Sequence, residues 1–165
     1  MTDPPSAKTI MKKLSFEEVI KITQQLADKI TSSGYKPDYL IGIPTGGLFP
    51  LALLAKELII KNVLSILTES TGTDEKKEVK IVAYPKIDLS NKKLLLIDEI
   101  VESGITLHQI LQKLQKIYPG SEIKTATLGV NKDKCEFYPD YFIFFEEGDW
   151  VIFPWEKEDF PEYKF

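Results

Sequence analysis

Cysteine and long apolar runs are almost absent from this sequence. Its 165 residues include one cysteine, Cys135, so no internal disulfide can form and a reducing compartment is expected. No apolar run approaches the roughly 20 residues that a membrane-spanning helix needs. Residues 1–12 also lack the apolar core of a signal peptide. We therefore expect a cytoplasmic protein without a membrane partner.

An excess of positive charge is also missing. The formal net charge is −4, so the chain has no general attraction for nucleic acid, and we expect no nucleic-acid partner. A small phosphorylated ligand is still compatible with an acidic chain, because backbone N–H groups bind phosphate without a basic surface. The length and the hydrophobic share of 43% are those of one globular domain with its own core.

The sequence does contain an alternation of apolar strands and helices. Ser15 and Glu18 form a capping box, which predicts a helix that Gly34 ends. The polar, glycine-containing residues 68–78 predict an exposed, mobile loop. The other predicted elements are strands at 39–43, 63–67, 80–84, 93–97, 124–130 and 141–145, and helices at 48–60 and 105–118. This order predicts an α/β domain with a mainly parallel sheet and helices on both faces.

Two adjacent acids follow the strongest predicted strand. Residues 94–97 are all apolar, as in a strand buried on both faces of a parallel sheet. Asp98 and Glu99 come directly after it, at the strand end where ligands bind in such sheets. Paired carboxylates there accept hydrogen bonds from vicinal ribose hydroxyls, directly or through Mg²⁺-bound water.

A phosphate-binding turn follows within a few residues. Residues 102–106 (ESGIT) lead into the predicted helix 105–118. The first N–H groups of a helix have no partner inside it, and with two neighbouring hydroxyls they suit a monophosphate. A diol site and a phosphate site so close together are what ribose 5-phosphate requires.

As a whole, residues 94–106 resemble the phosphoribosyl-pyrophosphate motif of the type I phosphoribosyltransferases. That motif has four apolar residues, two acids, two further residues, an acid, Thr or Ser, Gly, any residue and Thr. The resemblance implies that Asp98 and Glu99 hold the ribose hydroxyls and Mg²⁺, the ion through water, and that Glu102 handles the proton of the base. It assigns the 5-phosphate to Ser103, Gly104, Ile105 and Thr106.

Two other segments extend the resemblance to most of the chain. The turn Thr45-Gly46-Gly47 is similar to the family's pyrophosphate loop, and its glycines let N–H groups approach an oxyanion. Residues 150–156 resemble the purine-binding end of short bacterial and archaeal 6-oxopurine phosphoribosyltransferases. By that likeness Trp150 stacks on the base, Val151 offers backbone groups to its edge, and Glu156 lies near its amino edge.

The chain departs from the family at three positions of the expected site. The acid of the phosphate turn is usually Asp and is Glu102 here, and the frequent Lys of that turn is Ile105. The relatives also bind the purine 6-oxygen with a Lys, whose counterpart is Asn131 when counted forward from the strand and Lys132 when counted back from Pro139. Lys132 favours a 6-oxopurine, whereas Asn131 leaves adenine open.

The resemblance implies a fold and an activity for the whole chain. The expected fold is a single domain over residues 1–165, with a core at about 36–130 that holds a five-stranded, mainly parallel sheet. A small hood is expected from the N-terminal segment and residues 131–165. The expected activity is Mg²⁺-dependent purine salvage by a homodimer or homotetramer. Its substrates are phosphoribosyl pyrophosphate and hypoxanthine, guanine or xanthine, and its products are a purine mononucleotide and pyrophosphate. The alternative is a non-catalytic regulator that senses a nucleotide or phosphoribosyl pyrophosphate.

Overall fold

The structure, a computed structural model, describes residues 11–72, 78–148 and 150–159. Strands and helices alternate through most of these ranges. In chain order they are β1 (Met11–Lys13), α1 (Phe16–Ser32), β2 (Tyr39–Gly42), α2 (Leu48–Glu57), β3 (Val63–Ser65), β4 (Leu67–Thr71), β5 (Glu78–Ala83), β6 (Lys93–Ile97), β7 (Ile100–Val101), α3 (Ile105–Ile117), β8 (Glu122–Ala126), β9 (Gly129–Asn131), β10 (Phe144–Glu146), β11 (Trp150–Ile152) and a 3₁₀ turn (Pro154–Glu156).

A parallel sheet with the strand order β3-β2-β6-β8 lies at the centre of the fold. The four residues from Leu94 to Ile97 in β6 are fully buried, because the sheet is covered on both faces. Among the described residues this sheet has four regular strands, and the fifth position is held by Tyr141 through a single bridge to Ala126. The chain leaves the sheet after Tyr141, because β10 pairs with β9 instead.

Helices cover the two faces and form two apolar cores. One core includes Val19, Leu26 and Ile30 of α1 with part of α2, and the other includes buried residues of α3. The predicted capping box is confirmed, since the backbone N–H of Glu18 donates to Ser15 Oγ and the Glu18 carboxylate accepts from the Ser15 N–H. This cap fixes the start of α1 over the sheet.

Several predicted boundaries are wrong. The predicted strand 63–67 is divided at Ile66 between β3 and β4, and the predicted strand 141–145 is reduced to the bridge of Tyr141 and the first two residues of β10. The predicted strand 124–130 is divided, because Thr127 and Leu128 leave the ladder between β8 and β9, and Thr127 Oγ1 donates to the carbonyl of Gly129 at 3.0 Å. The predicted loop 68–78 includes parts of the antiparallel hairpin β4–β5, in which Val79 is fully buried. Residues 73–77 of that predicted loop lie outside the described residues.

The two ends of the described chain meet at one edge of the fold. Strand β1 pairs in parallel with β11, with Lys12 opposite Val151. Leu14 donates its N–H to the carbonyl of Ile152, and the side chain of the next residue, Phe153, is buried. The C-terminal segment is thereby held near the carboxyl end of β6. Within the described ranges, no helix combines the length and the apolar character that crossing a bilayer requires.

Candidate active site

A cavity of about 390 Å³ opens beyond the carboxyl end of β6. It lies between the turn that precedes α3 and the C-terminal segment. Its lining residues are Asp98, Glu99, Ile100, Val101, Glu102, Ser103, Gly104, Thr106, Leu107, Lys134, Glu146, Trp150, Val151, Phe153 and Glu156. The structure thus brings most of the predicted site residues together from two distant parts of the chain.

The acidic pair lies where the buried strand β6 ends. Asp98 is still held to the sheet, since its N–H donates to the carbonyl of Ala126 at 3.1 Å. Its Oδ1 accepts the N–H of Glu99 at 2.9 Å. The Glu99 carboxyl turns toward the C-terminal segment, where its Oε2 accepts the indole N–H of Trp155 at 2.6 Å. Both acids therefore have fixed positions on the cavity wall.

Glu99 has a perturbed acidity. Burial raises the pKa of its carboxyl to about 8, and the nearby carboxylates of Asp98 and Glu156 add to the rise. The hydrogen bond from Trp155 opposes the rise but is a smaller influence. At neutral pH the ligand-free cavity therefore holds Glu99 largely in its protonated form, which can donate as well as accept a hydrogen bond.

The phosphate turn depends on a glycine at the start of α3. Gly104 has φ +81° at the N-cap, and a side chain there would overlap the backbone carbonyl of Phe137. The N–H groups of Glu136 and Phe137 both donate to the carbonyl of Ser103. The turn is thus packed tightly against the loop that follows β9. Ser103, Gly104 and Thr106 line the cavity, whereas Ile105 is outside the lining set.

The glycine turn after β2 packs against the acidic pair rather than lining the cavity. A side chain at Gly46 would occupy the place of the Glu99 carboxyl, and one at Gly47 would lie 2.8 Å from the carbonyl of Ile97. Thr45 belongs to the same turn and is also outside the lining set. Close packing at these two glycines brings the N-terminus of α2 to the end of β6.

The C-terminal side of the cavity includes two aromatic residues, Trp150 and Phe153. Trp150 lines it, and within the described structure its buried indole N–H has no hydrogen-bond partner. Val151 is buried in β11 beside it. Glu156 also lines the cavity, and its Oε2 accepts the N–H of Phe153 at 2.8 Å. Burial raises the pKa of the Glu156 carboxyl.

Neither candidate for contact with the base 6-position lines the cavity. Asn131 is buried, its Nδ2 donates to Glu146 Oε2 at 2.5 Å, and its Oδ1 accepts the N–H groups of Asp133 and Lys134. Lys132 points away and pairs with Glu147 at 2.6 Å. Asn131 therefore shapes the loop, because its side chain stabilises the turn that follows it.

That turn brings an unpredicted lysine to the cavity. Lys134 lines it, and its Nζ lies 4.0 Å from Glu102 Oε2. Glu146, which holds Asn131, is a second lining residue that the sequence did not indicate. The sequence alone does not show that Lys134 rather than Lys132 lines the cavity, because this depends on the turn that Asn131 stabilises.

Known proteins share the sequence pattern and the fold that form this cavity. Residues 7–159 match the model of the phosphoribosyl transferase domain family. The chain belongs to this family. The match spans the acidic pair, the phosphate turn and the aromatic C-terminal segment alike. The predicted family is therefore confirmed.

Curated relatives in this family are similar over most of their length. The xanthine-guanine phosphoribosyltransferase of Cereibacter sphaeroides is 25% identical over 150 residues, which cover 87% of this chain and 85% of that protein. The hypoxanthine-guanine phosphoribosyltransferase of Schizosaccharomyces pombe is 24% identical over 90% of each chain.

Solved phosphoribosyltransferase structures share the fold. The purine phosphoribosyltransferase from Pyrococcus horikoshii has a TM-score of 0.75 and 28% identity, and covers 88% of this chain and 93% of that chain. The xanthine-guanine-hypoxanthine phosphoribosyltransferase of Helicobacter pylori has a TM-score of 0.78 at 24% identity, with 93% and 99% covered. The predicted α/β fold class, with a parallel sheet flanked by helices, is confirmed.

Most of the ionisable groups in the cavity of this phosphoribosyltransferase are acidic. Among the described lining residues, Lys134 is the only basic one, and the acidic residues are Asp98, Glu99, Glu102, Glu146 and Glu156. Within the same ranges, no cluster of three or more acidic, histidine or cysteine residues has the arrangement of a metal cage. Oxygen donors in ones and twos fit Mg²⁺, which keeps several waters and takes phosphate oxygens from the substrate.

Proposed function

We propose that this phosphoribosyltransferase transfers ribose 5-phosphate from phosphoribosyl pyrophosphate to N9 of a 6-oxopurine, releasing pyrophosphate, in purine salvage. The base is hypoxanthine, guanine or xanthine, the bases in the names of the relatives. The observation that carries the proposal is one cavity that combines the acidic pair, the phosphate turn and Trp150. Those three features match the diol, the phosphate and the planar base of a purine mononucleotide.

The phosphoribosyl group lies between the strand end and the helix. Asp98 and Glu99 bind the vicinal hydroxyls of the ribose ring, and Ser103, Gly104 and Thr106 bind the 5-phosphate with hydroxyls and N–H groups of the first turn of α3. The N–H of Ile105 donates to Ser103 Oγ at 3.4 Å, so Ile105 helps to orient this hydroxyl from the backbone. Both ends of the sugar are then fixed, which orients the anomeric carbon toward the base.

The base binds on the aromatic side. Trp150, which lines the cavity, stacks on the purine through its indole ring. Val151 contributes backbone groups to the base edge, and Glu156 lies near the amino edge. Glu102 takes the base proton as N9 attacks the anomeric carbon. Asn131 acts on the base only through the loop that it shapes, and Lys132 pairs with Glu147 outside the cavity, because neither side chain lines it.

Pyrophosphate leaves on the side of the glycine turn. Thr45 and Gly46 offer N–H groups near the acidic pair, whereas Gly47 donates its N–H to the carbonyl of Ile43 at 3.1 Å and lets the turn contact the end of β6. Asp98 and Glu99 would hold Mg²⁺ through water, and the ion would supply positive charge to the pyrophosphate. The protein residues orient the leaving group, and the side chains of Trp150 and Phe153, which line the cavity, reduce the room for water beside the anomeric carbon.

The whole chain acts as one cytoplasmic catalytic domain in this proposal. The core at about 36–130 carries the sugar and phosphate sites, and both chain ends form the hood that carries the base site. Pairing of β1 with β11 supports the second statement. Cys135 is a free thiol, which suits a reducing compartment. Assembly into a homodimer or homotetramer is part of the same proposal.

A double substitution of the acidic pair tests the assignment of the ribose site. We expect Asp98→Asn with Glu99→Gln to lower turnover by at least about 100-fold, because an amide can neither carry the negative charge of a carboxylate nor gain it when Mg²⁺ binds. Steady-state kinetics measure the effect, and circular dichroism checks that the fold is kept. An unchanged rate in the folded variant would contradict the assignment.

A further inference from the structure

Trp155 connects three parts of the fold that the reaction uses. Its indole stacks on Phe49 at 4.4 Å between ring centroids and on Phe153 at 4.8 Å, with interplanar angles of 4° and 8°. Phe49 lies in the first turn of α2, directly after the glycine turn. Phe153 follows β11 and lines the cavity. The indole is therefore held in one orientation by rings from both sides of the site.

The N–H of this fixed indole donates to the Glu99 carboxyl. The distance from Nε1 to Oε2 is 2.6 Å, which is short for a nitrogen donor. Glu99 has little room to move elsewhere, because its carboxyl also packs against Gly46, where a side chain would overlap it. The carboxyl thus lies between the glycine turn and the indole.

We propose that Trp155 is a positioning residue, which holds the Glu99 carboxyl in the orientation that binds a ribose hydroxyl. This inference rests on the proposed function, since it assigns Trp155 to the sugar rather than to the base. Trp155 itself is outside the cavity lining, and it acts on the substrate through Glu99. It also makes the ribose site sensitive to the placement of the C-terminal segment, which carries Trp150 as well.

The substitution Trp155→Phe separates the hydrogen bond from the stacking. A phenyl ring keeps an aromatic face for Phe49 and Phe153 but has no N–H to donate. We expect the dissociation constant for phosphoribosyl pyrophosphate with Mg²⁺ to rise about tenfold, the size expected for a lost bond to a carboxyl group. The KM for the base should change by less than about twofold in kinetic measurements, because the stack beside Phe153 remains.

A matched control changes the same aromatic group without touching the donor. Phe16 lies 6.4 Å from the Trp155 ring and is 53% exposed. We expect Phe16→Leu to leave the affinity for phosphoribosyl pyrophosphate within about twofold of the unmodified protein. A loss in both variants would point to general disturbance of the aromatic group and would overturn the positioning role.

Calorimetric titration with phosphoribosyl pyrophosphate and Mg²⁺ decides the question. Weaker binding in Trp155→Phe alone supports the inference. Equal binding in Trp155→Phe and the unmodified protein overturns it and leaves the proposed function intact, whereas no binding by the unmodified protein overturns the proposed function itself. Should Trp155→Phe unfold, the fluorescence of Trp155 offers a second test, measured in Trp150→Phe so that Trp155 is the only tryptophan. We expect ribose 5-phosphate to change this emission when residue 99 is Glu and not in the double variant that also carries Glu99→Gln. An equal change in the two proteins would overturn the role.

Discussion

At the scale of single residues, two nearby lysines, Lys132 and Lys134, are expected to differ in their effect on substrate binding. Lys134 lines an otherwise acidic cavity, and Lys132 pairs with Glu147 outside it. Phosphoribosyl pyrophosphate is strongly anionic, so we expect Lys134→Ala to raise its KM about fivefold or more. Lys132→Ala is the matched control and should leave KM within about twofold. Equal effects in steady-state assays would contradict the assignment.

Glu99 gives the stability of the ligand-free protein a distinctive pH dependence. Its pKa is raised from 4.5 to about 8, so between these values the unfolded chain has released a proton that the folded chain keeps. The free energy of unfolding should therefore fall as pH rises through this window. Urea unfolding at pH 5 and pH 8.5 measures the fall, on the order of 1 kcal/mol for each unit of pKa difference.

The substitution Glu99→Gln should remove much of that fall, since an amide does not titrate. Glu57→Gln, on the exposed side of α2, serves as the control and should keep the behaviour of the unmodified protein. An identical pH dependence in all three proteins would contradict a buried, protonated Glu99.

Most residue-level predictions relied on short-range patterns. The acidic pair, Glu102 and Trp150 belong to local motifs that the structure brings to one cavity. Lys134 was missed because its position depends on the Asn131 side chain, which accepts two N–H groups of the following turn. The family's base-binding lysine aligns with residue 131 or 132, whereas in the structure the turn brings residue 134 to the cavity.

At the scale of elements, the start of α3 is the most constrained part of the site. Gly104→Ala should destabilise the protein by about 2 kcal/mol or more, because it adds an overlap with the Phe137 carbonyl to the strain of a positive φ. Gly34→Ala is the matched control, since Gly34 has φ +78° but open space around it, and should cost about 1 kcal/mol. Similar costs for both in urea unfolding would contradict the packing of the phosphate turn.

The elements that the sequence predicted well are those with strong local signals. Ser15 and Glu18 define the start of α1, and the buried run in β6 is apolar throughout. Strand β4 of the hairpin was missed because it is polar and mostly exposed, as a loop would be, whereas β5 was predicted as a strand at 80–84. The break between β8 and β9 was missed because Thr127 and Leu128 are typical strand residues that leave the sheet only through tertiary contacts.

At the scale of the whole molecule, the cavity exists because the chain ends return to the sheet. Pairing of β1 with β11 places the aromatic segment beside the phosphate turn, although more than 40 residues separate Trp150 from Ser103. The family resemblance predicts a hood from both chain ends, whereas composition and periodicity alone predict only an α/β domain. The close contact of Trp155 with Glu99 could not be predicted, because it depends on the packing of three aromatic rings.

The most direct test of the account is pyrophosphate release from phosphoribosyl pyrophosphate and Mg²⁺, with hypoxanthine, guanine, xanthine or adenine added separately. The account predicts release that depends on an oxopurine and is at least about tenfold slower with adenine. Turnover with adenine alone would keep the reaction class and contradict the assigned base. No release with any base, despite measurable binding of phosphoribosyl pyrophosphate, would contradict catalysis and favour a regulator on the same fold.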